Sequence, residues 1–321
     1  MTLKRAIVTS VGPLRIKIDG DTEPIPFTPK SGIDPATLAV GDVVHADQSG
    51  HRLVVLVRVG GLGLVSGRNL IVNGDFRINQ RGAVAGAFVG TGVYFLDRWF
   101  APGGGTGTTT WADDGGVRTL TLGDGGEAGY VDQIIEASSL PAGTYTASWE
   151  GTAKLYIFAL NPVYADSPVT FTSDGTANVK FQFRGNGETL RNVKLEWGSV
   201  PTPFATSPLG EELALCQRYY QRFGGQSAYQ SFALGFARST TAVRISIPIP
   251  VSMRASPTLT YSTVTLFNGD FASVSALATT SSGISNVIQV DATSSGLTTY
   301  RPYSLISYND TSGYVAFDAE L

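Results

Sequence analysis

Aromatic and amide side chains are the groups of this sequence with the most distinctive chemistry. Between residues 94 and 197, aromatic residues recur along short apolar segments, at Tyr94, Trp99, Trp111, Tyr130, Trp149, Tyr156, Tyr164 and Trp197. Trp and Tyr rings stack on the apolar face of a sugar, while Asn, Gln, Asp and Arg side chains hydrogen-bond its hydroxyl groups. These residue types therefore favour recognition of a neutral saccharide over covalent chemistry.

Some of these aromatic residues lie where a ligand could reach them. Trp99 and Trp149 belong to alternating apolar patterns, which are typical of core residues. The better candidates lie in polar segments or beside predicted loops, and we expect them to contact a ligand: Trp111, Tyr156 and Tyr164.

A second candidate group lies near the end of the sequence, at Tyr300, Arg301, Tyr303 and Tyr308. A Tyr-rich loop offers rigid rings at a low cost in conformational entropy, which suits a binding surface. The same residues would also suit a contact between subunits, so two interpretations stay open. The segment 226–321 contains no lysine, which favours either a subunit interface or a face for a neutral polar ligand.

Catalytic and metal-binding patterns are weak. His45 and His51 are the only histidines, and two histidines alone make an incomplete metal site. The single cysteine, Cys216, excludes an intrachain disulfide and is predicted to be a buried thiol. Cleavage of a glycan would need two carboxylates at a set separation, and a pair among Asp113, Asp114 and Asp132 stays open. We therefore expect no enzyme, no catalytic residue and no cofactor.

Composition narrows the classes of partner. The 321 residues carry a net charge of −3, and only 15% are charged, so no basic surface favours nucleic acid or an anionic membrane. No stretch reaches the roughly 20 apolar residues that span a bilayer. Residues 1–18 lack the sustained apolar run of a signal peptide. We expect a protein that is made in a cytoplasm and does not insert into membranes.

The spacing of short alternating segments predicts an all-β chain with three β units. Residues 1–60 predict five short strands in a small OB-like barrel, followed by a glycine-rich linker at 61–68. Phe27 is the only aromatic residue of this barrel, so attachment to another protein is favoured over nucleic-acid binding. Residues 69–206 and 225–321 each predict a β-sandwich, because turn clusters separate many short strands.

Residues 207–224 predict a linking α-helix between the two sandwiches. Ser207 could cap it, Pro208 suits its first position, and Glu211 and Glu212 complement the positive end of its dipole. A stripe of apolar residues is predicted along one face: Leu209, Leu213, Cys216 and Tyr220. This stripe could pack on its own subunit, or three copies could pack around an axis.

Three sequence segments resemble a known family. NLIVNGDFRINQRG with YFLDRWF, NVKLEWGSVPTPF and EELALCQRYY resemble the opening, the closing strand and the following segment of a carbohydrate-binding-module-like jelly-roll domain. That domain occurs in bacteriophage tail fibres and minor tail proteins. The resemblance implies a receptor-binding virion protein that is homotrimeric, attaches to other tail proteins through its N-terminal barrel and binds a glycan of the host cell surface.

The resemblance leaves two alternatives for function. One is a purely structural tail component without a ligand, and the other is a glycan depolymerase. Relatives of the jelly-roll module often carry a structural calcium ion near the first and last strands. Asp75 and Glu196 lie in the matching segments, but calcium needs six or more oxygen ligands, so two carboxylates do not define a site.

Overall fold

The computed structural model is built almost entirely from β-strands, which confirms the predicted all-β fold. It describes residues 3–18, 22–25, 30–31, 43–49, 52–59, 68–84, 88–89, 92–102, 108–114, 117–123, 125–280 and 286–321. Within these ranges there is one α-helix, and no helix is long and apolar enough to cross a membrane. The predicted linker 61–68 lies outside the described residues, apart from Arg68.

The first unit is a five-stranded half-barrel, as the alternating pattern predicts. Its strands are β1 (Leu3–Val11), β2 (Leu14–Ile18), β3 (Lys30–Ser31), β4 (Val43–Ser49) and β5 (Arg52–Val59). They pair in the order β2-β1-β4-β5-β3, and only the β3–β5 pair is parallel. Every second residue of β2 is buried, so Leu14, Ile16 and Ile18 face the core with Ala6 and Val8.

The second unit is a jelly-roll-like sandwich of two six-stranded sheets. Its strands are β6 (Phe88–Val89), β7 (Val93–Leu96), β8 (Trp99–Ala101), β9 (Thr108–Asp114), β10 (Val117–Leu122), β11 (Gly129–Ile135), β12 (Gly143–Gly151), β13 (Lys154–Ile157), β14 (Asn161–Ala165), β15 (Val169–Ser173), β16 (Val179–Gly185) and β17 (Glu188–Trp197). We call β14-β13-β16-β11-β8-β7 the front sheet and β15-β12-β17-β10-β9-β6 the back sheet. A short 3-10 helix, Ala137–Ser139, follows β11.

Aromatic rings from both sheets fill the space between them. Trp99 and Phe183 of the front sheet are fully buried, with ring centroids 6.0 Å apart. Trp149 of the back sheet meets Phe183 edge-on at 5.3 Å. Side chains alternate across a strand, so the other residues of the front strands point away from this core. That alternation creates an outer face on the front sheet.

The helix α1 (Leu209–Gln217) is shorter than the predicted 207–224, because the following residues pair as a strand. Its N-cap is Pro208, and Ser207 makes no side-chain cap. Tyr220 begins β18 (Tyr220–Gly224), where it pairs with Asp318, so it does not continue the helical stripe. Leu209 is 57% exposed and Leu213 half-buried, whereas Cys216 is the buried thiol that the sequence predicts.

The third unit contains two further sheets. After β18 come β19 (Ser231–Ala237), β20 (Ala242–Pro248), β21 (Thr258–Ser262), β22 (Val264–Phe267), β23 (Phe271–Ser273), β24 (Ala276–Thr279), β25 (Val287–Thr293), β26 (Pro302–Ser307) and β27 (Tyr314–Asp318). A three-stranded sheet, β18-β27-β21, lies against a seven-stranded sheet, β23-β22-β26-β19-β20-β25-β24. Ile245, Leu305 and Phe317 are fully buried in the shared core.

Charged and aromatic groups join the second and third units. Arg98 and Glu320 form an ion pair whose side chains are almost completely buried. Arg81 lies 3.0 Å from Asp318 and 3.2 Å from Glu320, and its guanidinium stacks 3.9 Å from the centre of the Tyr220 ring. We call these five residues the joint. Because both carboxylates come from the last residues of the sequence, the joint fixes the end of β27 against the second unit.

Candidate functional site

The outer face of the front sheet presents aromatic and planar polar side chains. In β11, Val131, Gln133 and Ile135 point inward and are buried, so Tyr130 and Asp132 point outward. In β16, the inward residues are Val179, Phe181 and Phe183, and the outward ones are Lys180, Gln182 and Arg184. Strand alternation thus places the polar residues of both strands on one face.

Strand register aligns five outward residues of the front sheet in one line, and a sixth lies beside the last of them. Tyr94 pairs with Phe100, Phe100 with Asp132, Asp132 with Gln182, and Gln182 with Tyr156, while the Tyr164 ring lies 5.3 Å from that of Tyr156. We call the line the front row; its members are Tyr94, Phe100, Asp132, Gln182, Tyr156 and Tyr164. It crosses all six strands, so it is roughly 24 Å long at about 4.8 Å between strands.

A buried carboxylate lies in the middle of the front row. Asp132 is only 1% exposed, and neither of its carboxylate oxygens has a well-aligned hydrogen bond within the described part of the chain. The nearest cation is the Lys180 ammonium, 3.3 Å from Oδ2. Burial raises the pKa of Asp132, and Lys180 and Gln182 offset only part of this effect. The carboxylate is therefore an under-used hydrogen-bond acceptor.

At the open end of the front row, the side chains contact one another and the neighbouring Phe158 and Arg184. The Tyr164 hydroxyl donates to Gln182 Oε1 at 2.7 Å, and the Tyr156 ring packs edge-on against Phe158 at 4.8 Å. The Arg184 guanidinium lies 5.5 Å from the centre of the Tyr164 ring. Two aromatic rings, an amide and a guanidinium are thus preordered on one surface. Such a surface can stack on an apolar face and hydrogen-bond hydroxyl groups at the same time.

The other end of the front row closes into a small pocket of about 180 Å³. Tyr94 and Phe100 pack with ring centroids 5.0 Å apart and line one side, while Asp132 and Lys180 line another. Leu321 also lines the pocket, and its backbone oxygen accepts a hydrogen bond from the Tyr94 hydroxyl at 2.8 Å. The third unit therefore contributes a wall to this end of the row.

The structure places the predicted ligand residues of the second unit in two different environments. Tyr156 and Tyr164 come together in the front row. Trp111 is only 7% exposed and packs 6.1 Å from Phe95 in the core, so the structure places it among core residues and away from the front row. Its strand, Thr108–Asp114, alternates, and position 111 points inward although its neighbours in sequence are polar.

The Tyr-rich group of the third unit does not form one site. Tyr303 is 7% exposed, and its hydroxyl accepts a hydrogen bond from the Thr298 N–H, so it lies in the core and apart from the exposed Tyr300 and Tyr308. Tyr300 and Arg301 precede strand Pro302–Ser307, and Tyr308 follows it. The six residues of this strand span roughly 20 Å at about 3.3 Å per residue, so Tyr300 and Tyr308 lie near its opposite ends.

Tyr308 belongs instead to an exposed aromatic cluster, which consists of Tyr229, Phe267, Phe271 and Tyr308. Phe271 lies 5.0 Å from Tyr308, 5.1 Å from Phe267 and 6.0 Å from Tyr229, measured between ring centroids. All four side chains are exposed. Contiguous exposed rings of this kind are typical of an interaction surface.

Most front-row residues were missed as ligand contacts by sequence reasoning. The sequence suggests Asp132 only as one member of a possible catalytic pair, and it gives no signal for Phe100 or Gln182. The available signal is the alternation in 129–135 and 179–185, which separates inward apolar residues from outward polar ones. The alternation predicts the face, but it cannot predict which strands lie side by side.

The remaining predicted sites are not assembled among the described residues. Asp75 pairs with Arg77, and Glu196 accepts hydrogen bonds from the Thr202 N–H and hydroxyl, so the carboxylates considered for calcium have separate partners. Within the described part of the chain, no group of three or more His, Cys, Asp or Glu is placed to hold a metal ion.

The carboxylates considered for catalysis are similarly separated. Asp113 lies in the back sheet and Asp132 in the front sheet. The side chains of Asp114 and His45 and the whole of His51 lie outside what the structure describes.

Comparison with protein families finds no match to this chain, and comparison with curated proteins finds none either. A function for this chain must therefore be proposed from the geometry of its own residues.

Proposed function

We propose that this protein is a phage tail-fibre or minor tail protein that binds a host surface glycan along the front row. The observation that supports binding is the line of aromatic, amide and carboxylate groups across six strands. A sugar chain offers apolar ring faces and hydroxyl groups in alternation, which such a line can contact together. The assignment to a virion tail is supported by the three sequence segments that resemble tail proteins.

Each part of the front row has a distinct role in this proposal. Tyr156 and Tyr164 stack on sugar rings, and Gln182 donates and accepts hydrogen bonds. Both oxygens of the Asp132 carboxylate are buried, so direct hydrogen bonds to sugar hydroxyl groups are made by Gln182, while Asp132 supports Gln182 and Lys180 from below. Binding would be weak per site and strengthened by several copies acting together.

A glycan array tests this proposal with matched variants. The chain is presented to immobilised bacterial surface saccharides, and the double variant Tyr156→Ala/Tyr164→Ala is compared with Tyr300→Ala, which removes an 85% exposed ring from the third unit. The double variant should bind about 30-fold more weakly, because truncating a binding hot spot costs about 2 kcal/mol or more.

The control variant should bind like the parent chain. If Tyr300→Ala loses binding and the double variant keeps it, the site belongs to the third unit. Failure of the parent chain to bind any saccharide at high density would contradict glycan recognition. That result would favour the purely structural tail component.

The structural alternative has one observation in its favour, the exposed aromatic cluster of the third unit. Four rings on a unit without lysine suit a contact between subunits, and we propose that this cluster contributes to a homotrimer. Sedimentation equilibrium of the parent chain should give three times the monomer mass of 33.9 kDa. A monomer at all concentrations would contradict the trimer and remove the expected gain from multivalency.

A further inference from the structure

A polar cleft of about 620 Å³ lies where the second and third units meet. Its volume is within the usual range for small-molecule sites, and junctions between domains are frequent places for them. The polar side chains that line it carry amides, hydroxyls and one guanidinium: Asn79, Gln80, Arg222, Gln226, Thr311 and Ser312. The cleft does not include any residue of the front row.

Arg222 differs from the two arginines of the joint. Arg81 and Arg98 have carboxylate partners in Asp318 and Glu320. Within the described part of the chain, Arg222 has no carboxylate within ion-pair distance, and no acidic side chain is among the described residues that line the cleft. A half-buried guanidinium thus faces the cleft with its charge uncompensated.

The orientation of Arg222 is fixed by its surroundings. Its guanidinium lies 4.2 Å from the centre of the Tyr314 ring, and Nη1 donates to the backbone oxygen of Arg81. Gly82 and Gly225 both have positive φ angles, and a Cβ at either position would lie within 3.0 Å of a guanidinium nitrogen. The backbone therefore leaves the space that this side chain occupies.

We propose that this cleft binds a saccharide that carries a carboxylate, such as a uronic acid. Arginine forms charge-assisted hydrogen bonds with carboxylates. Nη1 of Arg222 donates to Arg81 and Nε is buried, so Nη2 is the nitrogen that would donate to the carboxylate of a ligand. The amide and hydroxyl groups of the lining suit the ring hydroxyls of the same molecule. This second site is independent of the front row and takes a different class of sugar.

Three small probes separate the components of this recognition: sodium D-glucuronate, D-glucose and sodium acetate. Binding of each is followed by saturation-transfer NMR with the full chain. Glucuronate should bind at least about 10-fold more tightly than glucose, which lacks the carboxylate, and than acetate, which lacks the hydroxyls. Equal binding of acetate and glucuronate would show a simple anion site and overturn the proposal, as would no binding of glucuronate.

Variants locate the site. Arg222→Gln should weaken glucuronate binding by about 10- to 100-fold, since a hydrogen bond to a charged group is lost. Thr311→Glu places a carboxylate in the cleft at an exposed position and should abolish binding without altering the fold. The control Arg191→Gln removes an exposed arginine of the back sheet that does not line the cleft.

The outcomes distinguish this cleft from the front row. Tyr156→Ala/Tyr164→Ala should bind glucuronate like the parent chain. Unchanged glucuronate binding in folded Thr311→Glu would overturn the proposal. Loss of glucuronate binding in the double tyrosine variant would assign the acidic sugar to the front row instead.

Discussion

Asp132 is the residue whose chemistry matters most to the front row, because its carboxylate is buried but poorly hydrogen-bonded. Burial raises its pKa above the value in the unfolded chain. The folded state therefore binds a proton more readily than the unfolded state. Stability is lost as the pH rises through the interval from the unfolded pKa, near 4, towards the raised folded pKa.

Asp132→Asn should accordingly be more stable than the parent chain at pH 7, and the difference should shrink as the pH falls to about 3.5. The amide has the shape of the carboxylate without its charge, so the cost of desolvating the ionised form is removed. Urea denaturation at both pH values measures this. If Asp132→Asn instead loses stability relative to the parent as the pH rises from 3.5 to 7, the Lys180 ion pair outweighs the cost of desolvating the carboxylate.

An exposed aspartate provides a control of opposite sign. Hydrogen bonds from Thr176 lower the pKa of Asp174, so its stabilising effect is present at neutral pH and is lost as the pH falls through the folded pKa. Asp174→Asn should therefore be slightly less stable than the parent at pH 7, and this difference should close in acid.

At the scale of the element, adjacent positions of a front-sheet strand have opposite environments. In β16, Phe183 is fully buried between Trp99 and Trp149, whereas Arg184 is exposed on the outer face. Phe183→Ala should reduce the free energy of unfolding by about 3–5 kcal/mol, because it leaves a cavity between the sheets.

Arg184→Ala should change that free energy by about 0.5 kcal/mol or less, since it removes an exposed group. Chemical denaturation of both variants makes the comparison. Similar losses for the two would contradict the assignment of inward and outward faces on which the front row depends.

The elements also show what the sequence can and cannot predict. The all-β class, the five strands of the first unit and the buried Cys216 follow from local patterns. Tyr220 was predicted to be helical because it continues the spacing of Leu209 and Leu213, but it pairs with Asp318 nearly a hundred residues away. Such pairing is invisible to local periodicity and overrides it.

Candidate sites also depend on strand pairing between distant segments, which local patterns do not show. Tyr156 and Tyr164 were predicted to contact a ligand because they border a loop, and the structure places them on neighbouring strands instead. Their alignment with Gln182 and Asp132 depends on strand order and register, which join segments far apart in sequence. Trp111 is buried although its polar neighbours indicate an exposed position, because they hide the alternation of its strand.

At the scale of the whole molecule, the joint links the two sandwiches through buried charges, next to the closed end of the front row. Glu320→Ala leaves the Arg98 guanidinium buried without its partner, and it should reduce the free energy of unfolding by about 3–5 kcal/mol. Thermal and urea denaturation measure the loss.

The matched control for this prediction is Asp166→Ala, which breaks the solvent-exposed ion pair with Lys154. It should cost about 1 kcal/mol or less, because exposed pairs contribute little. A loss for Glu320→Ala as small as that of the control would show that the joint does not hold the two units together.

We propose above all that a saccharide binds along the front row. An amide NMR titration of the isotope-labelled chain, with the saccharide that binds most strongly on the array, tests it directly. We expect the largest shift changes at Asp132, Tyr156 and Gln182 and their neighbours in β11, β13 and β16. Changes confined to the back sheet or to the third unit, with the front strands unaffected, would contradict the claim.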